Sequence, residues 1–201
     1  MANGSRPTSP RAEAVERLYQ VFGRYPLRAV VEGCPHCVGP EDHATLRAAP
    51  LRVLTSAQLK RFAAKAMTTW GDEDDFRHFL PRLLELGDLD GLGGKLRHAN
   101  WSQWPADERA AVDGFLSELW RERLDVPLLD ELAVIYDDIE PFLVVWKENP
   151  DATKLAAAVP DERLSAPWVR DALETAFFAA DSAEAGREFS DAVRRWEDFH
   201  G

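Results

Sequence analysis

Cysteine is scarce in this chain: two occur among 201 residues, both inside Cys34-Pro35-His36-Cys37. No disulfide framework can span the fold, and a reducing compartment is the expected setting. Long apolar runs are missing as well, so no bilayer-spanning segment is expected. The opening MANGSRPTSPRAEAV has no apolar core of the kind a secretory signal needs, and together these read as a cytoplasmic protein. Strand-like segments are confined to LRAVVEG (27–33) and LRVL (51–54), too little for a core sheet. Five histidines leave little for catalysis, and there is no nucleophile elbow, Ser-His-Asp order or H-E-x-x-H pattern. Positive charge is also in deficit, with 24 Lys and Arg against 35 Asp and Glu for a net −11. Such a surface repels phosphate backbones and anionic lipid, which argues against nucleic acid or membrane as partner.

The deficit is uneven. Residues 1–61 hold 9 basic against 5 acidic side chains, net +4, and residues 62–201 hold 15 against 30, net −15. An acidic body suits self-association or a basic protein partner.

What the chain has in abundance is helical periodicity. In TSAQLKRFAAKAMTTWG, the apolar residues Leu59, Phe62, Ala63, Ala66, Met67 and Trp70 fall on one helical face. Thr55 and Gln58 form a capping box ahead of it, and Gly71 supplies a left-handed stop. DEDDFRHFLPRLLELG repeats the pattern with Phe76, Phe79, Leu80, Leu83 and Leu84, Asp72 as N-cap and Gly87 after the last turn. With only Gly71-Asp72 between them, the two helices are predicted to form an antiparallel hairpin. PADERAAVDGFLSELWRERL and LLDELAVIYDDIEPFLVVW continue the grammar, and two further helices are predicted near 167–180 and 183–199. The expected fold is therefore all-α, with antiparallel helical hairpins in a compact or short HEAT-like solenoid body. Residues 1–10 read as a disordered tail and 11–201 as a single helical domain, with a candidate subdomain boundary in the glycine-rich stretch 87–95.

The combination of CPHC, TTWG and DFRHFLPRLLEL, from Cys34 to Leu86, resembles a family of uncharacterised bacterial proteins. The resemblance implies a bacterial origin and carries over no functional residue.

Three constellations could carry chemistry. Cys34 and Cys37 offer a bidentate thiolate turn, and His43 could add a nitrogen to a tetrahedral zinc site whose fourth ligand must come from elsewhere, His78 being one candidate. The same CxxC could instead serve a thiol-redox or metal-dependent enzyme. CPHC also stands in the thiol oxidases of the bacterial periplasm, but those need a thioredoxin-like sheet that this helical sequence does not offer. The carboxylates Asp72 to Asp75 read as helix-capping groups, complementary to the N-terminal dipole. GDLDGLGGK (87–95) fits neither a calcium loop, with Leu92 and Ala99 at ligand positions, nor a phosphate loop, and reads as a linker. Most of the seven tryptophans suit a core, whereas Trp101 and Trp104, in a loop before a helix, are either packing lids or partner-binding anchors. The expected function is a cytoplasmic protein-binding or scaffold module with a structural zinc at the CPHC loop. The alternatives are the Cys34/Cys37 enzyme and an acidic inhibitor or immunity-like protein for a basic partner.

Overall fold

A computed structural model describes residues 9–87, 89–148 and Arg194. Most of the expected tail, and both helices expected beyond residue 160 apart from Arg194, lie outside the described residues. Eight α-helices are described: α1 (Pro10–Phe22), α2 (Pro40–Leu46), α3 (Ser56–Lys65), α4 (Glu73–Leu86), α5 (Leu92–His98), α6 (Ala106–Arg123), α7 (Val126–Ile135) and α8 (Glu140–Lys147). Two 3-10 turns, Leu51–Val53 and Trp101–Gln103, complete the pattern, and the only pairing of extended backbone among the described residues is a pair of isolated bridges at Trp70. The all-helical expectation holds. Helices of 13, 7, 10, 14, 7, 18, 10 and 8 residues alternate without a recurring hairpin, so no HEAT-like repeat emerges.

Local chemistry explains where the helices begin. Ser9 accepts the Ala12 N–H at 3.2 Å with Pro10 in the first turn, and Thr55 and Gln58 close the expected capping box. Asp72 accepts from the N–H groups of Asp74 and Asp75 at 3.0 and 3.1 Å, while the Asp75 carboxylate accepts the Asp72 N–H at 3.1 Å. The acidic run is a cap, as its position in the first turn suggests. Gly87, at φ 72°, stops α4.

The chain divides into two compact units between Leu119 and Trp120, within α6. In the first, α1, α3, α4 and α6 bury Leu18, Phe22, Phe62, Phe76, Phe79, Phe115 and Leu116, with the Phe62 and Phe79 rings 4.5 Å apart. Each such side chain contributes roughly 1.5–3 kcal/mol by leaving water. α1 is fastened to α4 where the Tyr19 hydroxyl donates to Glu85 at 2.7 Å, and Arg52 lies 3.8 Å over the Tyr19 ring while pairing with Glu16. In the second unit, Trp120 donates its indole N–H to the Phe142 carbonyl at 2.9 Å, amid Leu128, Leu129, Leu132 and Leu143.

Two local expectations change. The helix predicted to run to Trp70 ends at Lys65, where Ala66 leaves helical geometry and Met67 takes φ 60°. The Lys65 carbonyl then collects the N–H groups of Thr68, Thr69 and Trp70, each at 3.1 Å. Ala66 and Trp70 are still buried, which is why their spacing mimicked a longer helical face. The stretch read as a linker contains the start of α5, with Leu92 and Leu96 buried.

Candidate functional site

The turn from Ala66 to Gly71 positions the CPHC loop. Cys34 N–H donates to the Thr69 carbonyl at 2.8 Å and Gly71 N–H to the Glu32 carbonyl at 2.7 Å, so residues 32–34 lie against residues 69–71 as a short bridge. Gly71 holds φ +69°, and a Cβ there would come within 3.0 Å of the Asp75 Cβ. Glycine is required on both counts. The loop then closes on itself, with the N–H groups of Cys37 and Val38 donating to the Cys34 carbonyl at 2.8 and 2.9 Å. Asp42, at the start of α2, accepts the Gly39 N–H at 2.9 Å and fixes the exit.

Both cysteines are free, half-buried thiols. Hydrogen bonding from the His36 backbone, and after it from the Cys37 side chain, holds the Cys34 thiol below its ordinary pKa. Lys65 and Arg61, one turn apart on α3, both donate to the Cys37 carbonyl, the latter at 3.0 Å. Arg61 also pairs with Asp42 at 2.9 Å.

Beside the loop lies an open groove of about 490 Å³, lined by Ala29, Val30, Pro35, Val38, Pro40 and His43 with Gly33, Gly39 and Arg47 at its edges. Val30 is 66% exposed, unusual for a large aliphatic side chain. Arg47 donates to the carbonyls of Arg28 and Ala29 and has no carboxylate partner among the described residues. His43 stands edge-on to the Trp70 indole, centroids 5.6 Å apart. A Cβ on Gly33 would sit 3.2 Å from Trp70 Cδ1, so the indole packs closely against the Gly33 backbone. That indole Nε1 is buried and has no hydrogen-bond partner among the described residues.

The zinc expected from sequence is overturned. Among the described residues no group of three or more His, Cys, Asp or Glu side chains could hold a metal ion. The structural-zinc scaffold, the zinc cofactor and the metal-dependent enzyme built on Cys34 and Cys37 fall with it. His78 is committed elsewhere: its Nδ1 lies 2.7 Å from the Tyr25 carbonyl, to which it must donate, and its ring packs 4.7 Å from Phe79. His43 packs its ring against Trp70 in a T-shaped contact. Trp101 and Trp104, only 6% and 4% exposed, are packing groups rather than exposed anchors; Trp104 Nε1 donates to Glu73 at 2.7 Å and to the Ala99 carbonyl at 3.1 Å.

Arg47, Lys65, Arg61 and the Trp70 N–H were not singled out from the sequence. Arg61 and Lys65, four residues apart on the polar face of α3, carried the one readable signal, a pair of like charges on a single helix flank. Comparison of the chain with protein-family models, with curated proteins and with solved structures returns no match. Among the described residues no helix is long and apolar enough to cross a membrane.

Proposed function

We propose that this chain is a protein-binding module of the bacterial cytoplasm that seats an extended segment of a partner protein in the groove beside the 34–37 loop. The observation that carries the reading is the groove itself. Its lining of alanine, valine and proline side chains, with Val30 exposed at one edge, is apolar surface that gains by being covered. The net charge of −11 steers a partner that is basic overall, and high salt slows such an encounter.

Titration of the isotope-labelled chain with short synthetic peptides, apolar at alternate positions and flanked by lysine, tests this. Backbone resonances of Val30, Val38 and His43 and the indole N–H resonance of Trp70 should move together. Val30→Glu, a change at an exposed position, should weaken binding by about tenfold without altering the fold. Peptides that leave these resonances unmoved, or that bind Val30→Glu equally well, would sink the reading.

A further inference from the structure

The polar groups along the groove distinguish one part of a partner chain from another. Gly33 lines the groove and is exposed, and its bridge to Trp70 sets how its backbone points. The Glu32 carbonyl and the Cys34 N–H are both spent on residues 69–71, so in an extended chain the N–H and carbonyl of Gly33, between them, turn the other way. Neither has a hydrogen-bond partner among the described residues. Arg47 supplies the second fitting. Its Nη2 donates to the Arg28 and Ala29 carbonyls, the latter at 2.6 Å, which ties the guanidinium to the Ala29 side of the groove. Its Nε and Nη1 carry no hydrogen bond among the described residues. His43, one turn earlier on α2, is the other ionisable group among the lining residues, and no carboxylate is among them. Of the acidic residues of α2, Asp42 is taken by Arg61, and Glu41 is exposed beside Gly39.

Resting on the peptide-binding reading above, we propose that the groove takes the C-terminal end of the partner chain. The terminal carboxylate pairs with Arg47, small apolar side chains cover Val30, Pro35 and Val38, and a backbone amide of the segment bonds to Gly33. Charge complementarity decides between a terminus and an internal stretch. An internal stretch brings only neutral amides to a groove whose ionisable lining is His43 and Arg47. A terminus brings a full negative charge to a guanidinium with donors to spare, and a hydrogen bond between ionised groups is about twice as strong as a neutral one. A partner that is basic overall meets no contradiction here, because the acidic surface steers its body while Arg47 reads one group at its end.

The test sets the full chain against peptides of one sequence, lysine-rich at the start and ending in alanine and valine, made as the free acid, as the C-terminal amide, and with further residues added after the valine. Fluorescence anisotropy should show the free acid binding about tenfold more tightly than either blocked form. The Arg47 Nε–H resonance should move with the free acid and stay in place with the amide. Arg47→Gln should abolish the preference and leave affinity for the amide as it was. Equal affinity for acid and amide would overturn this inference while leaving the groove as a peptide site, whereas no binding of any form would remove both. Octanoate that displaces the free-acid peptide at equal affinity would also overturn it, since the occupant would then be a small apolar acid and not a protein terminus. Circular dichroism checks the variant, and the comparison of acid with amide on the unaltered chain decides the matter even if Arg47→Gln fails to fold.

Discussion

At the scale of single residues, His78 and Asp75 show how burial sets charge within one helical turn. Asp75 is 3% exposed, and burial raises its carboxyl pKa above the ordinary value against the pull of the Asp72 N–H. The folded chain therefore gives up stability at neutral pH to keep this group ionised. Asp75→Asn retains an oxygen for the Asp72 N–H and removes that cost, so urea unfolding at pH 7 should show stability unchanged or increased. His78 works in the opposite direction on the pH axis. Burial lowers its pKa from 6.5, so as pH falls through that value the unfolded chain takes up a proton that the folded chain refuses. Stability should decline between pH 7.5 and 5, and the decline should be shallower in His78→Gln, whose amide N–H can still serve the Tyr25 carbonyl. A steeper decline in the variant would contradict the assignment. The sequence offered His78 as a candidate zinc ligand; what it could not show was Tyr25, 53 residues away, whose carbonyl lies 2.7 Å from the ring nitrogen.

At the scale of elements, the turn that follows α3 is the most consequential piece of backbone in the first unit. Gly71→Ala places a Cβ in a left-handed conformation and against Asp75 and Val31, at 3.0 and 3.2 Å, and should cost about 1–3 kcal/mol in urea unfolding. Gly91 shares the conformation, at φ +71°, but a Cβ there meets nothing within 4 Å. Gly91→Ala isolates the backbone contribution and should cost less; equal losses would mean that crowding at Gly71 is immaterial. Capping residues, turn glycines and the buried stripes of α1 and α4 were readable from the sequence because each is a local signal within three or four positions. The end of α3 was not. Ala66, Met67 and Trp70 keep helical spacing in the sequence, and the choice of a turn is made by long-range pairing of Thr69 and Gly71 with the backbone of residues 32–34. The groove was illegible for the same reason, since its lining joins segments before and after the loop whose apposition no periodicity encodes.

At the scale of the whole first unit, a polar cluster ties α4 and α6 to the segment that follows α1. Glu108 is fully buried and accepts the Tyr25 hydroxyl at 2.7 Å, with Arg77 Nε at 3.6 Å and Arg24 at 3.7 Å. Arg77 pairs in turn with Glu73, donates to the Tyr25 hydroxyl at 2.9 Å and lies 4.4 Å over the Trp104 ring. Glu108→Ala leaves buried cationic and hydroxyl groups without their acceptor and should lower stability by about 3 kcal/mol, whereas Glu108→Gln keeps an oxygen for Tyr25 and should lower it by less. Thermal or urea unfolding of both variants checks the order, and a Gln variant as damaged as the Ala variant would show that charge, not hydrogen bonding, holds the cluster.

The bond from the Lys95 ammonium to the Ala66 carbonyl, 2.8 Å long, joins α5 to the first residue of that same turn. Because the backbone of the 34–37 loop is bonded to this turn at Thr69, a contact made by Lys95, 61 positions further along the chain than Cys34, supports the loop's placement. The 34–37 loop is thus braced at second hand, through a turn that α5 itself holds in place.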